Sequence, residues 1–184
     1  MAAVRYCSAC GTQLESPPPV TCSNCGVSHW RNPKPCANAV VVDRGKVLLV
    51  RRAYPPWEDA WCAPGGFCEI GEHPIETAER EVLEETGLRI AVVGYIGVWI
   101  DPYADEPGQE DVDVINVAYY HAISVGVDGG WVDDGEVREV RWFGWDDVPS
   151  ELSPPGTLTE VLAAARRAHE NGSAVTSLPD RPAS

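Results

Sequence analysis

Residues 66–88 read GFCEIGEHPIETAEREVLEETGL, and no other stretch restricts the possible folds as tightly. A glycine turn at Pro64, Gly65 and Gly66 gives way, through Gly71 and Pro74, to a helical run that stops at Gly87. Proline fits a first helical turn because it has no N–H to lose there, and glycine fits the C-terminal cap because it enters the left-handed region without a Cβ penalty. At about 100° per residue, Ile75, Ala78 and Val82 form one stripe, which predicts a helix packed on a sheet. On the flank of that stripe Glu81, Glu84 and Glu85 gather three carboxylates. Like charges at this spacing cost a free helix roughly a few tenths of a kcal/mol per pair. An acidic helix face is commonly just solvated, but carboxylates one turn apart also suit a hard divalent cation, which turns the repulsion into binding.

The segment resembles the Nudix box, G-x5-E-x7-R-E-U-x-E-E-x-G-U with U a bulky aliphatic, at every fixed position: Gly66, Glu72, Arg80, Glu81, Val82, Glu84, Glu85, Gly87 and Leu88. The resemblance implies a hydrolase that cleaves a nucleoside diphosphate linked to another moiety with two or three Mg²⁺ or Mn²⁺ ions. It makes Glu81 and Glu85 the principal metal ligands, assisted by Glu84 and the Gly65 carbonyl. Arg80 takes a structural role, holding a carboxylate such as Glu72 by a bidentate pair. Gly66 and Gly87 are structural too.

Four of the seven cysteines sort into Cys7-x2-Cys10 and Cys22-x2-Cys25. Two such knuckles joined by a short loop bring four thiolates to one tetrahedral Zn²⁺, and Gly11 and Gly26 supply the backbone freedom each knuckle needs. His29 follows closely, but four cysteines already close the site. Cys36, Cys62 and Cys68 are expected to be reduced and buried. A module of about 35 residues cannot bury enough apolar area alone, so zinc is expected to supply its folding energy.

The formal net charge of −14 argues against nucleic acid as a partner, since a basic stripe supplies most of that affinity. No apolar run reaches the roughly 18 residues that span a bilayer and no signal pattern opens the chain, so a cytoplasmic protein without a membrane partner is expected.

Residues 37–42 and 46–51 read as a hairpin about Asp43, Arg44 and Gly45, followed by strands over 90–100, 113–123 and 139–143 and a last helix over 157–170 capped by Thr157. Strands on both sides of one strong helix indicate an α+β fold. The resemblance implies a Nudix α/β/α sandwich with a small N-terminal zinc ribbon: ribbon 1–35, Nudix domain 36–153, C-terminal helix 154–172 packed on it, and a flexible tail 173–184.

Two further matches, the E-x-x-E-x-x-W-[FY] pattern over residues 136–143 and the P-P-P-G-T-like Ser153-Pro154-Pro155-Gly156-Thr157, are similar to zinc-ribbon Nudix hydrolases such as NADH and ADP-ribose pyrophosphatases. They make Glu136 a further catalytic and metal residue. Glu84, Glu136, Asp133 and Asp134 are the general-base candidates. The NADH-type element S-Q-P-W-P-F-P-x-S is matched only at Trp99 and Pro102, so the expectation leans to ADP-ribose, with NADH or FAD next. Arg51 or its neighbour Arg52 is placed to meet a phosphate, and Trp30, Trp57, Trp99 and Tyr103 to stack on a base. The resemblance also implies a homodimer, and the competing class is a catalytically silent nucleotide sensor or partner-binding protein.

Overall fold

The computed structural model describes residues 4–103, 113–127 and 135–170. In chain order the elements are β1 (Val20–Thr21), β2 (Ser28–His29), β3 (Lys34–Asp43), β4 (Lys46–Arg52), β5 (Trp61–Cys62), β6 (Gly65–Phe67), α1 (Pro74–Thr86), β7 (Leu88–Tyr103), β8 (Asp113–Val127), β9 (Val137–Gly144) and α2 (Thr157–Glu170). Asp133 and Asp134, the turn at residues 128–130, most of the acid-rich loop after Ile100 and the expected tail lie outside the described residues.

The predicted hairpin is present. Arg44 and Gly45 both have positive φ, 48° and 74°, as a two-residue primed turn requires. Strand β3 then becomes the centre of a mixed sheet ordered β5-β4-β3-β8-β7. It runs parallel to β8, from Lys34 opposite Ile115 to Val41 opposite Ala122. Its pairing with β4 is confined to the turn, at Val42 with Val47 and Asp43 with Lys46. Beyond that point the two strands diverge, and β6 lies along β3 instead, with Gly65 opposite Asn38 and Gly66 opposite Ala37. Strand β9 closes on β4 from Lys46 to Arg52.

The period of two along β3 separates two cores. Ala37, Ala39 and Val41 pack with Ile75, Ala78 and Val82 of α1, the stripe read from the sequence, all buried. Val40 and Val42, with Val47, Leu49, Val117 and Tyr119, pack on Leu158, Val161, Leu162 and Ala165 of α2. Helix, sheet and helix thus form the expected sandwich.

The ends of α1 are fixed locally. His73 Nδ1 accepts from the Ile75 N–H at 3.2 Å and Glu76 Oε2 accepts from the His73 N–H at 3.0 Å, a reciprocal cap built on a histidine. Gly87, at φ 70°, ends the helix with its N–H on the Leu83 carbonyl. Thr157 is not the cap it was expected to be. It is the first residue of α2, and its hydroxyl donates to Asp101 Oδ1 at 2.6 Å, tying the end of β7 to the start of α2.

The N-terminal module holds the short β1–β2 ribbon and a core of Cys7, Leu14 and Cys22 with Val20 against it. A core this small cannot balance the conformational entropy of its own chain. Among the described residues no helix is long and apolar enough to cross a membrane.

Candidate active site and thiolate cluster

The divergence of β3 from β4 opens a wedge, and the chain crosses it through β5, Pro64 and β6. A cavity of about 350 Å³ lies there, walled by Asn38, Arg52, Gly65, Gly66, Glu81, Glu85 and Glu136 among others. Each glycine has its own reason. Gly65 has φ 149°, and a Cβ on it would fall 2.4 Å from the Ala37 carbonyl oxygen, so the backbone of β6 could not reach β3. A Cβ on Gly66 would fall 2.4 Å from Glu81 Oε1, so this glycine makes room for a carboxylate rather than for a backbone.

Glu85 is 8% exposed, and its Oε2 accepts from the Gly65 N–H at 3.0 Å. Gly65 therefore meets the carboxylates through its amide, a contact that leaves its carbonyl available for the ligand role expected of it. Burial, reinforced by Glu81 and Glu136, pushes the Glu85 carboxyl well above its usual range. Burial also raises Glu81, partly offset by Arg80.

Arg80 holds Glu72 in a fork, Nε to Oε1 at 2.8 Å and Nη2 to Oε2 at 3.1 Å. That pairing, with the Glu69 N–H and the Thr77 hydroxyl also donating to Glu72, lowers its carboxyl to about 2. The guanidinium does more than the expected structural pair: Nη1 lies 2.9 Å from both Glu81 Oε1 and Glu84 Oε2. Glu84 is half exposed and does not wall the cavity.

A cluster of carboxylate oxygen donors running from buried Glu85 to exposed Glu136, given room by a glycine and partly neutralised by one arginine, fits a divalent cation. Among the described residues the carboxylate oxygens are not drawn into one tight group as the thiols are, consistent with mutual repulsion and with the pull of Arg80 on Glu81 and Glu84.

The substrate-contact expectations divide. Trp57 and Tyr103 both line the cavity, with ring centroids 6.3 Å apart and nearly perpendicular, and Phe67 stands 5.7 Å from Tyr103. Trp99 lies elsewhere: it packs edge-on against Tyr119, and its indole N–H donates to Glu160 of α2 at 3.3 Å. Trp30, 70% exposed, is in the connector outside this cavity. Arg51 turns away to Asp59, and Arg52 is the arginine in the cavity wall. Alternation decides this, because Val50 faces the cavity and Arg52 shares its side of β4.

Sequence reasoning missed Asn38, whose amide donates to the Ala63 carbonyl at 2.8 Å, and Tyr119, deep in β8. Cys36 and Cys62 are buried as expected but also line the cavity. Burial pushes each thiol to about 12, with Cys68 and Glu81 adding to Cys36 and Glu85 to Cys62, so both stay protonated.

In the N-terminal module the four sulfurs of Cys7, Cys10, Cys22 and Cys25 lie within 4.8 Å of one another. Cys7 and Cys25 are 3.5 Å apart and Cys10 and Cys22 3.6 Å. Tetrahedral zinc with bonds of about 2.3 Å sets sulfurs about 3.8 Å apart, so the spacing suits that ion. The two knuckles repeat one geometry: Gly11 donates to the Cys7 carbonyl and Gly26 to that of Cys22, each at 2.9 Å and each at positive φ.

This sandwich, with its glycine turn and glutamate helix, is that of the Nudix family, and the chain belongs to it: the NUDIX domain profile matches residues 32–170. Among its relatives is the NAD-capped RNA hydrolase NudC of Haemophilus influenzae strain PittGG, 30% identical over 168 residues, covering 88% of this chain and 59% of that protein. The protein of the same name from Actinobacillus succinogenes is 32% identical over 170 residues, covering 88% and 61%. The chain thus spans about three fifths of the length of these relatives. A NUDIX hydrolase structure from Nitrosomonas europaea superposes with a TM-score of 0.74 at 24% identity, covering 93% of this chain and 95% of that one.

Proposed function

We propose that the protein is a metal-dependent pyrophosphatase that cleaves nucleoside diphosphates linked to another moiety, with ADP-ribose preferred and NADH or FAD as further substrates. The observation that carries this reading is the convergence of Glu81, Glu85 and Glu136 with Arg52 and an aromatic wall on one cavity. Its volume is at the small end of ligand sites, enough for the diphosphate and one ring rather than for a whole dinucleotide.

Glu81 and Glu85 hold Mg²⁺ or Mn²⁺, with Glu84, Glu136 and the Gly65 carbonyl as further ligands. When bound, such ions supply positive charge at the phosphoryl oxygens and a more acidic water. Arg80 keeps Glu81 oriented from behind. Glu136 and Glu84 are the described candidates to take the water's proton. Arg52 reaches a phosphate oxygen, and Trp57, Phe67 and Tyr103 pack on the ring of one moiety. The four-cysteine cluster holds one structural Zn²⁺, defining a ribbon over residues 1–35 ahead of a Nudix domain over 36–153 and a C-terminal helix over 154–172. Seven cysteines without a disulfide support a cytoplasmic setting. A homodimer belongs to the same reading.

The names of the relatives add an NAD-capped RNA to the compounds to be tried, whereas the net charge of −14 favours small nucleotides. The test is product analysis with Mg²⁺ or Mn²⁺ over ADP-ribose, NADH, FAD, capped RNA and nucleoside triphosphates, for wild type and Glu85→Gln. AMP released from ADP-ribose by the wild type alone supports the reading. Equal activity in Glu85→Gln would remove the metal-site assignment, and tight binding without turnover would favour a sensor.

A further inference from the structure

The loop between β4 and β5 supplies Tyr54, Pro55 and Trp57 to the cavity wall. It does so in a conformation that side chains resist: Trp57 has φ 60° and Asp59 φ 67°. Three arginines other than Arg80 hold it there. Arg52 Nε donates to the Pro56 carbonyl at 2.8 Å, and Arg51 Nε to the Asp59 carbonyl at 3.1 Å. The third, Arg138, comes from the adjoining strand β9: Nη1 donates to Asp59 Oδ1 at 2.9 Å, and Nη2 to Glu58 Oε1 and to the Ala53 carbonyl.

Arg138 stands two residues after Glu136, and the Glu136 carbonyl accepts from the Ala53 N–H at 2.9 Å. One guanidinium therefore fastens the loop that carries Trp57 to the strand end that carries Glu136. Each ion pair is nearly half exposed, with side-chain exposures of 45% and 46%, and contributes little stability alone. What the fork provides is geometry, because a planar donor set reaches two carboxylates and a carbonyl at once.

We propose that Arg138 is a positioning residue for substrate recognition, which acts by holding residues 53–60 so that Trp57 meets Tyr103 across the cavity, and by keeping that wall in register with Glu136. The inference rests on the functional reading above, since it concerns the same site. Without the fork the loop relaxes toward ordinary backbone angles and Trp57 leaves the wall. The moiety it contacts then binds more weakly.

The experiment compares wild type with Arg138→Met, Arg138→Lys, Trp57→Ala and the double variant Arg138→Met with Trp57→Ala. It measures kcat and KM for ADP-ribose with Mg²⁺, and amide exchange over residues 53–60 by mass spectrometry. The expected result is a KM raised roughly tenfold in Arg138→Met and faster exchange at Ala53, Asp59 and Ala60. Arg138→Lys should recover little, since one ammonium cannot make the fork. In the Trp57→Ala background the Arg138 substitution should raise KM no further, a coupling that general destabilisation would not produce. Additive effects on KM, or unchanged KM and exchange in Arg138→Met, would overturn the proposal. If the wild type hydrolysed none of the compounds, the functional reading would fail, and exchange over residues 53–60 would still decide whether Arg138 holds the loop.

Discussion

Gly65 and Gly66 are neighbours in one strand, yet replacing each with alanine should produce opposite failures. A Cβ on Gly66 would sit 2.4 Å from Glu81 Oε1 and 2.6 Å from its Cδ. Moving that oxygen out to the 3.4 Å of ordinary contact displaces the carboxylate by about 1 Å (3.4 − 2.4 = 1.0). The side chain is flexible, so the shift costs little folding energy, and trading glycine for alanine in a strand conformation regains about 0.4–1 kcal/mol from the unfolded chain. A misplacement of about 1 Å in a positioned group, however, costs on the order of 100-fold in rate, or about 2.7 kcal/mol of transition-state stabilisation. Gly66→Ala should therefore keep its Tm within about 4 °C of wild type while kcat for ADP-ribose falls about 100-fold. For Gly65→Ala the Cβ meets backbone, 2.4 Å from the Ala37 oxygen and 2.5 Å from the Asn38 Cα, at a φ of 149°. Neither strand can retreat without breaking the β3–β6 pairing, and a loss of about 3 kcal/mol or more is expected. Thermal melts beside AMP-release assays separate the two. Wild-type kcat in Gly66→Ala, or wild-type Tm in Gly65→Ala, would refute the assignment of these glycines.

Two other expectations concern charge and metal. In the metal-free protein Glu72, held at about 2, contributes stability above the ordinary carboxylate value of about 4.3 that is lost as pH falls toward 2. Glu81 and Glu85, raised by burial, work the other way: above about 4.3 the unfolded chain releases their protons while the fold retains them, so stability falls as pH climbs to their raised values. Urea titrations across pH should show Glu72→Gln flattening the acid limb and Glu85→Gln the alkaline limb, and Mg²⁺ should oppose the alkaline loss. Elemental analysis should find one zinc per chain, and Cys22→Ser, which removes a buried thiol of the cluster, should lose it and expose residues 4–35 to proteolysis while α1 and its sheet stay folded.

The parts of this architecture visible in the sequence are those set by near neighbours. Pro74, Gly87 and the Ile75–Ala78–Val82 stripe delimit α1 because a helix is a local object, and the paired CxxC spacings place the thiols for the same reason. The histidine cap escaped notice because imidazole is an uncommon acceptor at that position. The cavity wall was largely hidden, since Asn38 and Tyr119 face it only once β3 and β8 pair in parallel across some eighty residues of chain. Arg51 and Arg52 could not be told apart for want of one fact, which side of β4 faces the wedge. Trp99 and Thr157 looked like a stacking residue and a cap. Each instead bonds across to a partner distant in sequence, Glu160 and Asp101, that no local pattern reveals.

The splaying of β3 from β4 also bears on the order in which the molecule assembles. Their hairpin turn can form early, because its contacts are local, but the wedge acquires its shape only after β8 docks on β3 and β9 on β4, both by long-range closure. Glu136 is thus kept apart from Glu81 and Glu85, which α1 already holds one turn from each other, until the last pairings form, so its repulsion with them falls late in assembly rather than on its early steps. A divalent ion that recognises only the completed wedge would then act as a latch, slowing unfolding while leaving the rate of folding almost untouched.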